Sequence, residues 1–159
     1  MIIIRDIIKT DREKLKNILF TTENFSEEEK RIGLELIDIT LNNPEQKDYK
    51  IKVAEVDGEV CGYYCIGQRA LTDGVYDLYW IVVDSKRKGN GIGTKLLEDS
   101  ESYVKSRKGR LILAETSSRV DYSVTRNFYK KNGYKEVTSI KDFYKVGDDL
   151  IIFGKYFNQ

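Results

Sequence analysis

Histidine is absent from the 159 residues of this sequence, and proline and methionine occur once each. Without histidine a serine–histidine–aspartate triad cannot form, and a zinc site loses a common nitrogen ligand. The two cysteines, Cys61 and Cys65, do not form a CxxC pair, so they do not supply the usual zinc spacing either. These absences exclude a triad hydrolase and a zinc enzyme.

Long hydrophobic runs are also lacking. Stretches such as Leu78–Val83 are far shorter than the roughly 20 apolar residues that a membrane-spanning helix needs. The apolar start has no basic leader and is interrupted at Arg5–Asp6, so we expect a cytoplasmic protein without a membrane partner. Cys61 and Cys65 would lie about 13 Å apart in an extended strand, beyond the ~7 Å that a disulfide spans. Both are therefore predicted to be reduced and buried.

An excess of charge of one sign is lacking too, because Lys and Arg number 27, Asp and Glu number 26, and the net charge is +1. Bulk charge therefore does not indicate a nucleic-acid partner. A hydrophobic fraction of 40% and a charged fraction of 33% are typical of a soluble globular protein. At this length we predict one domain over residues 1–159.

Periodicity and turn signals predict the element order β-α-α-β-β-β-α-β-α-β-β, a mixed α/β (α+β) architecture. Ile2–Ile8 is the first strand, and Thr10–Glu13 and Ser26–Glu29 have the form of capping boxes that open the first two helices. The acidic run Glu27–Glu29 is interpreted as helix capping rather than as a binding site. Asp57–Gly58 predicts a type I′ hairpin turn between the second and third strands.

The stretch Lys88–Thr94 places glycine at positions 89, 91 and 93, between a predicted strand and a predicted helix. Such a loop turns backbone N–H groups and the positive end of a helix dipole toward one point, which suits a phosphate. Thr94 stands where the dinucleotide-binding fingerprint requires its third glycine, and the Gly-Lys-Ser/Thr ending of a Walker loop is missing. The sequence therefore predicts an anion-binding loop of another kind.

This loop resembles the acyl-CoA pyrophosphate loop of the GNAT superfamily of N-acyltransferases, with Lys88 in place of the family's first Arg or Gln. Asn127–Tyr134 resembles the family's second signature, and Val146–Ile152 resembles its final strand and turn. The resemblance runs from Ile2 to Tyr156. It implies the GNAT fold, a mixed and mostly antiparallel central sheet of about seven strands that splays apart between strands four and five.

The resemblance implies acetyl-CoA (coenzyme A) as the cofactor. Its pantetheine arm is expected to bond like an added strand to the backbone of strand four, and its pyrophosphate to lie on the glycine loop. The last helix offers further contacts, because Tyr122, Arg126 and Tyr129 share one face while Val124 and Phe128 share another. The expected cofactor-binding residues are Ile81, Val82, Val83, Lys88, Gly89, Asn90, Gly91, Ile92, Gly93, Thr94, Tyr122, Arg126 and Tyr129.

Acetyl transfer to an amine calls for an acid and a base. An ammonium with a pKa near 10.4 is less than about 0.1% free base at neutral pH, and a departing thiolate leaves more easily once protonated. Tyr129 matches the family's tyrosine, which implies a hydroxyl near the thioester sulfur and a role as general acid. Asp77 and Glu115 are alternative bases acting through water, and the free amine could also be selected from solution.

The acceptor is expected to be a small-molecule or peptide amine. The resemblance implies a groove walled by the segment between the first two helices and by strands three and four. Strand alternation places Asp77, Tyr79, Ile81 and Val83 on one face of strand four. An aromatic groove with carboxylates nearby suits a cationic amine that carries apolar surface. The predicted substrate contacts are Phe25, Tyr64, Tyr79 and Glu115.

Three functions stay open from the sequence. The first is an N-acetyltransferase that works by direct attack in a ternary complex, since Cys61 and Cys65 have no histidine to activate them. The second is a non-catalytic acyl-CoA sensor or regulatory domain. The third, a nucleic-acid or scaffolding domain that kept only the fold, is disfavoured by the balanced charge. The apolar run Leu150–Phe153 could pair across a homodimer.

Overall fold

Within residues 1–157, which the computed structural model describes, seven strands form one sheet and four α-helices cover its two faces. The predicted domain ends at Gln159, outside this described range. The strands are β1 (Ile2–Asp6), β2 (Lys50–Val56), β3 (Glu59–Gln68), β4 (Val75–Val83), β5 (Leu111–Ser117), β6 (Lys135–Lys145) and β7 (Asp148–Tyr156). The helices are α1 (Arg12–Phe20), α2 (Glu27–Asn42), α3 (Ile92–Ser106) and α4 (Ser123–Lys131). The predicted element order is confirmed.

The strand order across the sheet is β1-β2-β3-β4-β5-β7-β6. Every neighbouring pair is antiparallel except β4 and β5, which run parallel. The helix α3 makes the crossover between these two parallel strands, as a parallel pair requires. The predicted mixed and mostly antiparallel sheet is therefore confirmed.

Apolar side chains on the two faces of the sheet form two buried clusters. On one face α1 and α2 contribute Leu15, Leu19 and Ile37, which pack with Val53 and Tyr63. On the other face lie residues of α3 and α4, including Leu96, Leu97, Val104 and Tyr129. Burial of one such leucine contributes about 1.5–3 kcal/mol to stability, so both faces of the sheet are firmly held.

Local capping explains where the first helices begin, with one correction. Ser26 caps α2 as predicted, since its side chain accepts from the Glu29 N–H while the Glu29 carboxylate accepts from the Ser26 N–H. The predicted box at Thr10–Glu13 does not form. Instead Lys9–Asp11 makes a 3-10 turn, and the Asp11 carboxylate accepts from the Ile8 N–H at 2.8 Å before α1 starts at Arg12.

A β-bulge in β4 overturns the predicted alternation of its side chains. Cys65 pairs with Trp80 and Ile66 pairs with Leu78, so Tyr79 is an extra residue without a partner on β3. The bulge shifts the strand by one position. As a result Tyr76, Leu78, Ile81 and Val83 all face α3, whereas Trp80 and Val82 face α1 and α2. Asp77, Tyr79, Ile81 and Val83 therefore do not share one face.

The sheet also tests the predictions for the two cysteines and for the apolar run on the last strand. Cys61 and Cys65 are buried free thiols, as predicted, and they pack in the clusters on opposite faces. The run Leu150–Phe153 lies on β7, between β5 and β6, so its backbone is already paired and it cannot pair across a dimer. At this end of the sheet the edge strand is β6.

None of the helices within residues 1–157 combines the length and the hydropathy that a membrane span requires.

Candidate active site

A cleft opens where β4 and β5 separate. The two parallel strands pair only over Val75–Asp77 and Leu111–Leu113. Beyond Asp77 they form no ladder, although β4 continues for six more residues to Val83 and stays paired with β3 on its other side. The backbone polar groups on the free edge of β4 therefore need another partner. Ile81, Val82 and Val83, predicted to bind the pantetheine arm, lie along this edge.

The glycine loop follows directly after β4. Asp84 turns the chain, because its carbonyl accepts from the Arg87 N–H at 2.8 Å and its carboxylate accepts from the Lys86 N–H at 3.1 Å. Gly89 and Gly91 then adopt φ angles of +84° and +78°, a left-handed conformation that side chains disfavour. A Cβ placed on either glycine would meet no atom within 4 Å. The glycines are needed for backbone conformation and for open space above the loop.

Seven consecutive backbone donors stand unpaired in this loop. The first helical bond of α3 runs from the Lys95 N–H to the Gly91 carbonyl at 3.1 Å. In the part of the chain from residue 1 to 157, the N–H groups of residues 88–94 donate to no protein acceptor. Together with the positive end of the α3 dipole, they form a site suited to an anion such as a pyrophosphate.

The loop, the cleft and the last helix enclose one cavity of about 570 Å³. At what we call the phosphate end, its wall comes from Arg87, Lys88, Gly89, Gly91, Ile92, Gly93, Thr94 and Lys131. At what we call the acceptor end, it comes from Thr22, Asn24, Phe25, Glu29, Tyr79, Trp80, Glu115 and Tyr122. Ile81, Val82, Val83, Val124, Thr125, Phe128 and Tyr129 also line the cavity.

Tyr129 is a core residue by its ring and a site residue by its hydroxyl. The ring is 5% exposed and stacks on Phe153 with centroids 6.0 Å apart. Its hydroxyl makes no hydrogen bond within residues 1–157, yet no fully buried side-chain oxygen there lacks a partner, so the hydroxyl still reaches the cavity. Burial, and then the nearby Tyr122, raise the pKa of Tyr129. The group therefore stays protonated at neutral pH and can donate a proton.

The two candidate bases differ in position. Glu115 lines the cavity, whereas Asp77 does not. Arg69, from the loop after β3, contacts both: its guanidinium donates to Asp77 Oδ1 at 3.1 Å and lies 3.5 Å from Glu115 Oε2. The structure therefore ties Asp77 to a cation outside the cavity and leaves Glu115, which is 47% exposed, at the acceptor end.

Of the other cofactor contacts predicted at the last helix, Tyr122 lines the cavity and Arg126 does not. The Tyr122 hydroxyl lies 3.4 Å from Glu29 Oε2, and its ring lines the cavity. Arg126 does not line it, because its guanidinium donates to the carbonyls of Ser117 and Arg119 at 2.6 and 2.8 Å. Arg126 thereby fixes the segment that connects β5 to α4. Val124, expected to be part of an apolar stripe, is 76% exposed and touches the cavity instead of the core.

Of the predicted substrate residues, Phe25, Tyr79 and Glu115 lie in the cavity wall, and Tyr64 does not. Phe25 packs against Trp80 with ring centroids 6.0 Å apart, and burial followed by the charge of Asp77 raises the pKa of Tyr79 to about 12. Tyr64 is fully buried against α3 and donates its hydroxyl to Asp99 at 2.8 Å. The structure therefore corrects the prediction for Tyr64, which is a core residue.

Sequence reasoning missed Glu29 and Lys131 in the cavity wall. The local pattern predicts that Glu29 caps the helix, and Glu29 does so through Oε1. The pattern gives no sign that its second carboxylate oxygen, Oε2, lies beside Tyr122. Lys131 follows Tyr129 by two residues at the end of α4, where a cation also complements the helix dipole. Asn90, a predicted cofactor contact, does not line the cavity, and its side chain donates to the Arg87 carbonyl at 3.0 Å, which braces the loop, while its backbone N–H stays unpaired.

Comparisons with known proteins agree with this geometry. The family model described as an acetyltransferase (GNAT) domain matches residues 47–136. A GNAT-family protein from Desulfovibrio desulfuricans, solved as a crystal structure, superposes with a TM-score of 0.93 at 34% identity, covering 98% of this chain and 99% of that one. An aminoglycoside 6′-N-acetyltransferase solved with coenzyme A shares the fold, with a TM-score of 0.75 at 22% identity and coverage of 99% and 98%.

A curated relative, an N-acetyltransferase of Methanocaldococcus jannaschii with no characterised function, is 33% identical over 104 residues, which make up 65% of this chain. The match spans 64% of that relative's length, just under two thirds. The family model covers more than half of the chain and includes β4, the glycine loop and α4, the elements that build the cavity. The chain therefore belongs to the GNAT family.

Proposed function

We propose that this protein moves an acetyl group from acetyl-CoA to a primary amine by direct attack in a ternary complex. The observation that carries the proposal is that one cavity joins the glycine loop, with its unpaired backbone donors, to a free, protonated tyrosine hydroxyl and a carboxylate. A phosphate site, an acid and a base are the three groups that acetyl transfer from a coenzyme A thioester requires.

The residues present fit coenzyme A. The unpaired N–H groups of residues 88–94 suit its pyrophosphate, and the free edge of β4 from Leu78 to Val83 suits an extended arm that bonds like a strand. Lys88 and Lys131 add positive charge at this end. When bound, acetyl-CoA supplies the acetyl group as a thioester. A crystal structure of the aminoglycoside acetyltransferase with coenzyme A supports the same use of this fold.

Tyr129 would act as the general acid. As the amine nitrogen bonds to the carbonyl carbon and the carbon–sulfur bond breaks, the tyrosine hydroxyl donates its proton to the departing sulfur. Glu115 would accept the proton lost by the amine, through water, because it lies in the cavity wall whereas Asp77 is paired outside it. If the amine arrives already deprotonated, Glu115 is not needed to activate it, and only the proton released from nitrogen after the attack has to leave.

An acyl-enzyme route is disfavoured by the cysteines. Cys61 and Cys65 are buried, and burial raises the pKa of both thiols, so neither offers a thiolate to the cavity. Direct transfer from donor to acceptor therefore fits the site better than a covalent intermediate on the protein.

The test combines two measurements on one sample: calorimetric binding of acetyl-CoA and thiol release against a panel of primary amines. We expect binding together with amine-dependent release. Binding without release for any amine would favour the non-catalytic sensor, and absence of binding would overturn the assignment of the glycine loop.

A further inference from the structure

The two ends of the cavity carry opposite charge. At the phosphate end, Lys88 and Lys131 make no ion pair within residues 1–157. At the acceptor end stand the carboxylates of Glu29 and Glu115. An anionic donor and a cationic acceptor would thus each find a complementary end of the cavity.

Glu29 is held in place by bonds that leave its charge uncompensated. Its Oε1 accepts from the Ser26 N–H at 3.0 Å as part of the capping box, and its Oε2 lies 3.4 Å from the Tyr122 hydroxyl. Among the described residues no cation lies within ion-pair distance of Glu29, although its neighbours Glu27 and Glu28 pair with Lys30 and Arg31. A fixed, unpaired carboxylate in a cavity wall attracts a cation.

Glu115 is only weakly neutralised. Arg69 approaches it at 3.5 Å but donates to Asp77 at the shorter distance of 3.1 Å. Glu29 from α2 and Glu115 from β5 line the same cavity. Both also act on Tyr144 of β6, because burial first, and then the charges of Glu115, Glu29 and Asp148, raise the pKa of its hydroxyl.

Aromatic rings line the same end of the cavity as these carboxylates. Phe25, Tyr79, Trp80 and Tyr122 all line the acceptor end. Tyr129 is only 5% exposed, and its hydroxyl reaches the same cavity without a hydrogen-bond partner within residues 1–157. Carboxylates among ring faces suit an ammonium attached to a flat apolar group, because each half of such a molecule finds its own partner.

Building on the proposed acetyltransferase function, we propose that the acceptor is a primary ammonium carried on an aromatic or similarly flat apolar group, and that Glu29 binds the ammonium. Glu29 is thereby a specificity-determining residue, separate from the acid and base of the transfer step. Its side chain selects charge, and the rings select the group that carries it.

The experiment compares Glu29→Gln with Glu28→Gln. Glutamine at position 29 keeps the capping box, so the helix start is preserved while the charge is lost. Glu28 is an exposed neighbour outside the cavity, so Glu28→Gln removes the same charge from the protein without touching the site. The probes are 2-phenylethylamine, a cation at pH 7, and O-benzylhydroxylamine, which has the same shape and is neutral. Their binding is measured by calorimetry in the presence of coenzyme A.

We expect Glu29→Gln to weaken binding of 2-phenylethylamine about tenfold or more, because a charge-assisted bond is lost, and to leave O-benzylhydroxylamine and acetyl-CoA binding unchanged. Glu28→Gln should change none of these. Equal behaviour of the two variants, equal loss for both probes, or absence of 2-phenylethylamine binding to the unmodified protein would overturn the inference. Thiol release is recorded separately, so failure of turnover with intact binding counts against the proposed function alone.

Discussion

The phosphate end and the acceptor end of the cavity are built in different ways. The phosphate end comes mostly from the glycine loop and Arg87 before it, with Lys131 added from α4, and the donors of the loop are backbone N–H groups. The acceptor end is assembled from side chains on the α1–α2 connection, α2, β4, β5 and the residue before α4. The first depends on local backbone conformation, and the second depends on how distant elements pack. Substitutions should therefore act differently at the two ends.

The largest effect is expected between them, at Tyr129. Tyr129→Phe should lower turnover by roughly 10²–10⁴-fold, the usual contribution of a general acid, and leave acetyl-CoA affinity unchanged. Steady-state kinetics and calorimetry on the same variant separate the two quantities.

Tyr134→Phe is the control, because this second buried tyrosine donates to Glu101 at 2.9 Å and does not line the cavity. It should lower the free energy of unfolding by about 1.5–3 kcal/mol, as expected for a lost bond to a charged group, without a comparable loss of turnover. Full turnover in Tyr129→Phe would make Tyr129 a packing residue only.

The next effect concerns the two carboxylates of the acceptor side. Glu115→Gln should lower the rate up to about 100-fold, the low end of general-base contributions, because the group is half-exposed. Asp77→Asn should cost much less, since Asp77 is bonded to Arg69 outside the cavity wall. Measurement of kcat/KM against pH for both variants decides between them; the reverse ranking would assign the base to Asp77.

At the phosphate end, Gly91→Ala should weaken acetyl-CoA binding about tenfold or more, while Gly58→Ala, in the β2–β3 turn, should not change it. Both glycines have a φ near +80° and open space where a Cβ would lie, so both variants should lose about 1–2 kcal/mol of stability from the left-handed conformation. Chemical denaturation and calorimetry measure the two effects. Equal cofactor affinity in both variants would remove the loop from the site.

The smallest effect is expected from Lys131→Gln. Loss of one exposed charge should weaken acetyl-CoA binding only a few-fold, and the difference from the unmodified protein should shrink as salt rises, because surface charges are screened. Lys47→Gln removes another exposed charge, one away from the cavity, and should have no effect. A titration at low and high ionic strength tests this, and a salt-independent loss would indicate a structural role for Lys131.

The difference between the two ends also explains what the sequence could predict. The glycine loop could be recognised because three glycines and the following helix start determine it locally. The hairpin at Asp57–Gly58 is confirmed for the same reason, with φ angles of +51° and +80°. Tyr129 was found from a short signature whose residues are neighbours on one helix.

Long-range packing escaped prediction. The bulge at Tyr79 has no signature in the local sequence, because the register of the strand depends on which side chains fit on each face of the sheet. The sequence predicts Tyr64 in the groove from its place on the third strand, and gives no sign of the hydrogen bond to Asp99, 35 residues away, that holds it in the core. Glu29 was explained by its cap alone, and only the packing of α2 near Tyr122 brings its second oxygen to the cavity.

The short pairing of β4 with β5 has a mechanical consequence. Within residues 1–157, the half-sheet β1–β4 is joined to the half-sheet β5–β7–β6 by one short ladder, between Val75–Asp77 and Leu111–Leu113. The stability of the contact between the two halves therefore depends on the helices and on any ligand that fills the cleft. A ligand bonded along the open edge of β4 replaces missing rungs and acts as a cross-link. At a concentration 100 times its Kd, it would add about 2.7 kcal/mol to the stability of the folded state, and the proposed acetyl donor would then also serve as part of the scaffold.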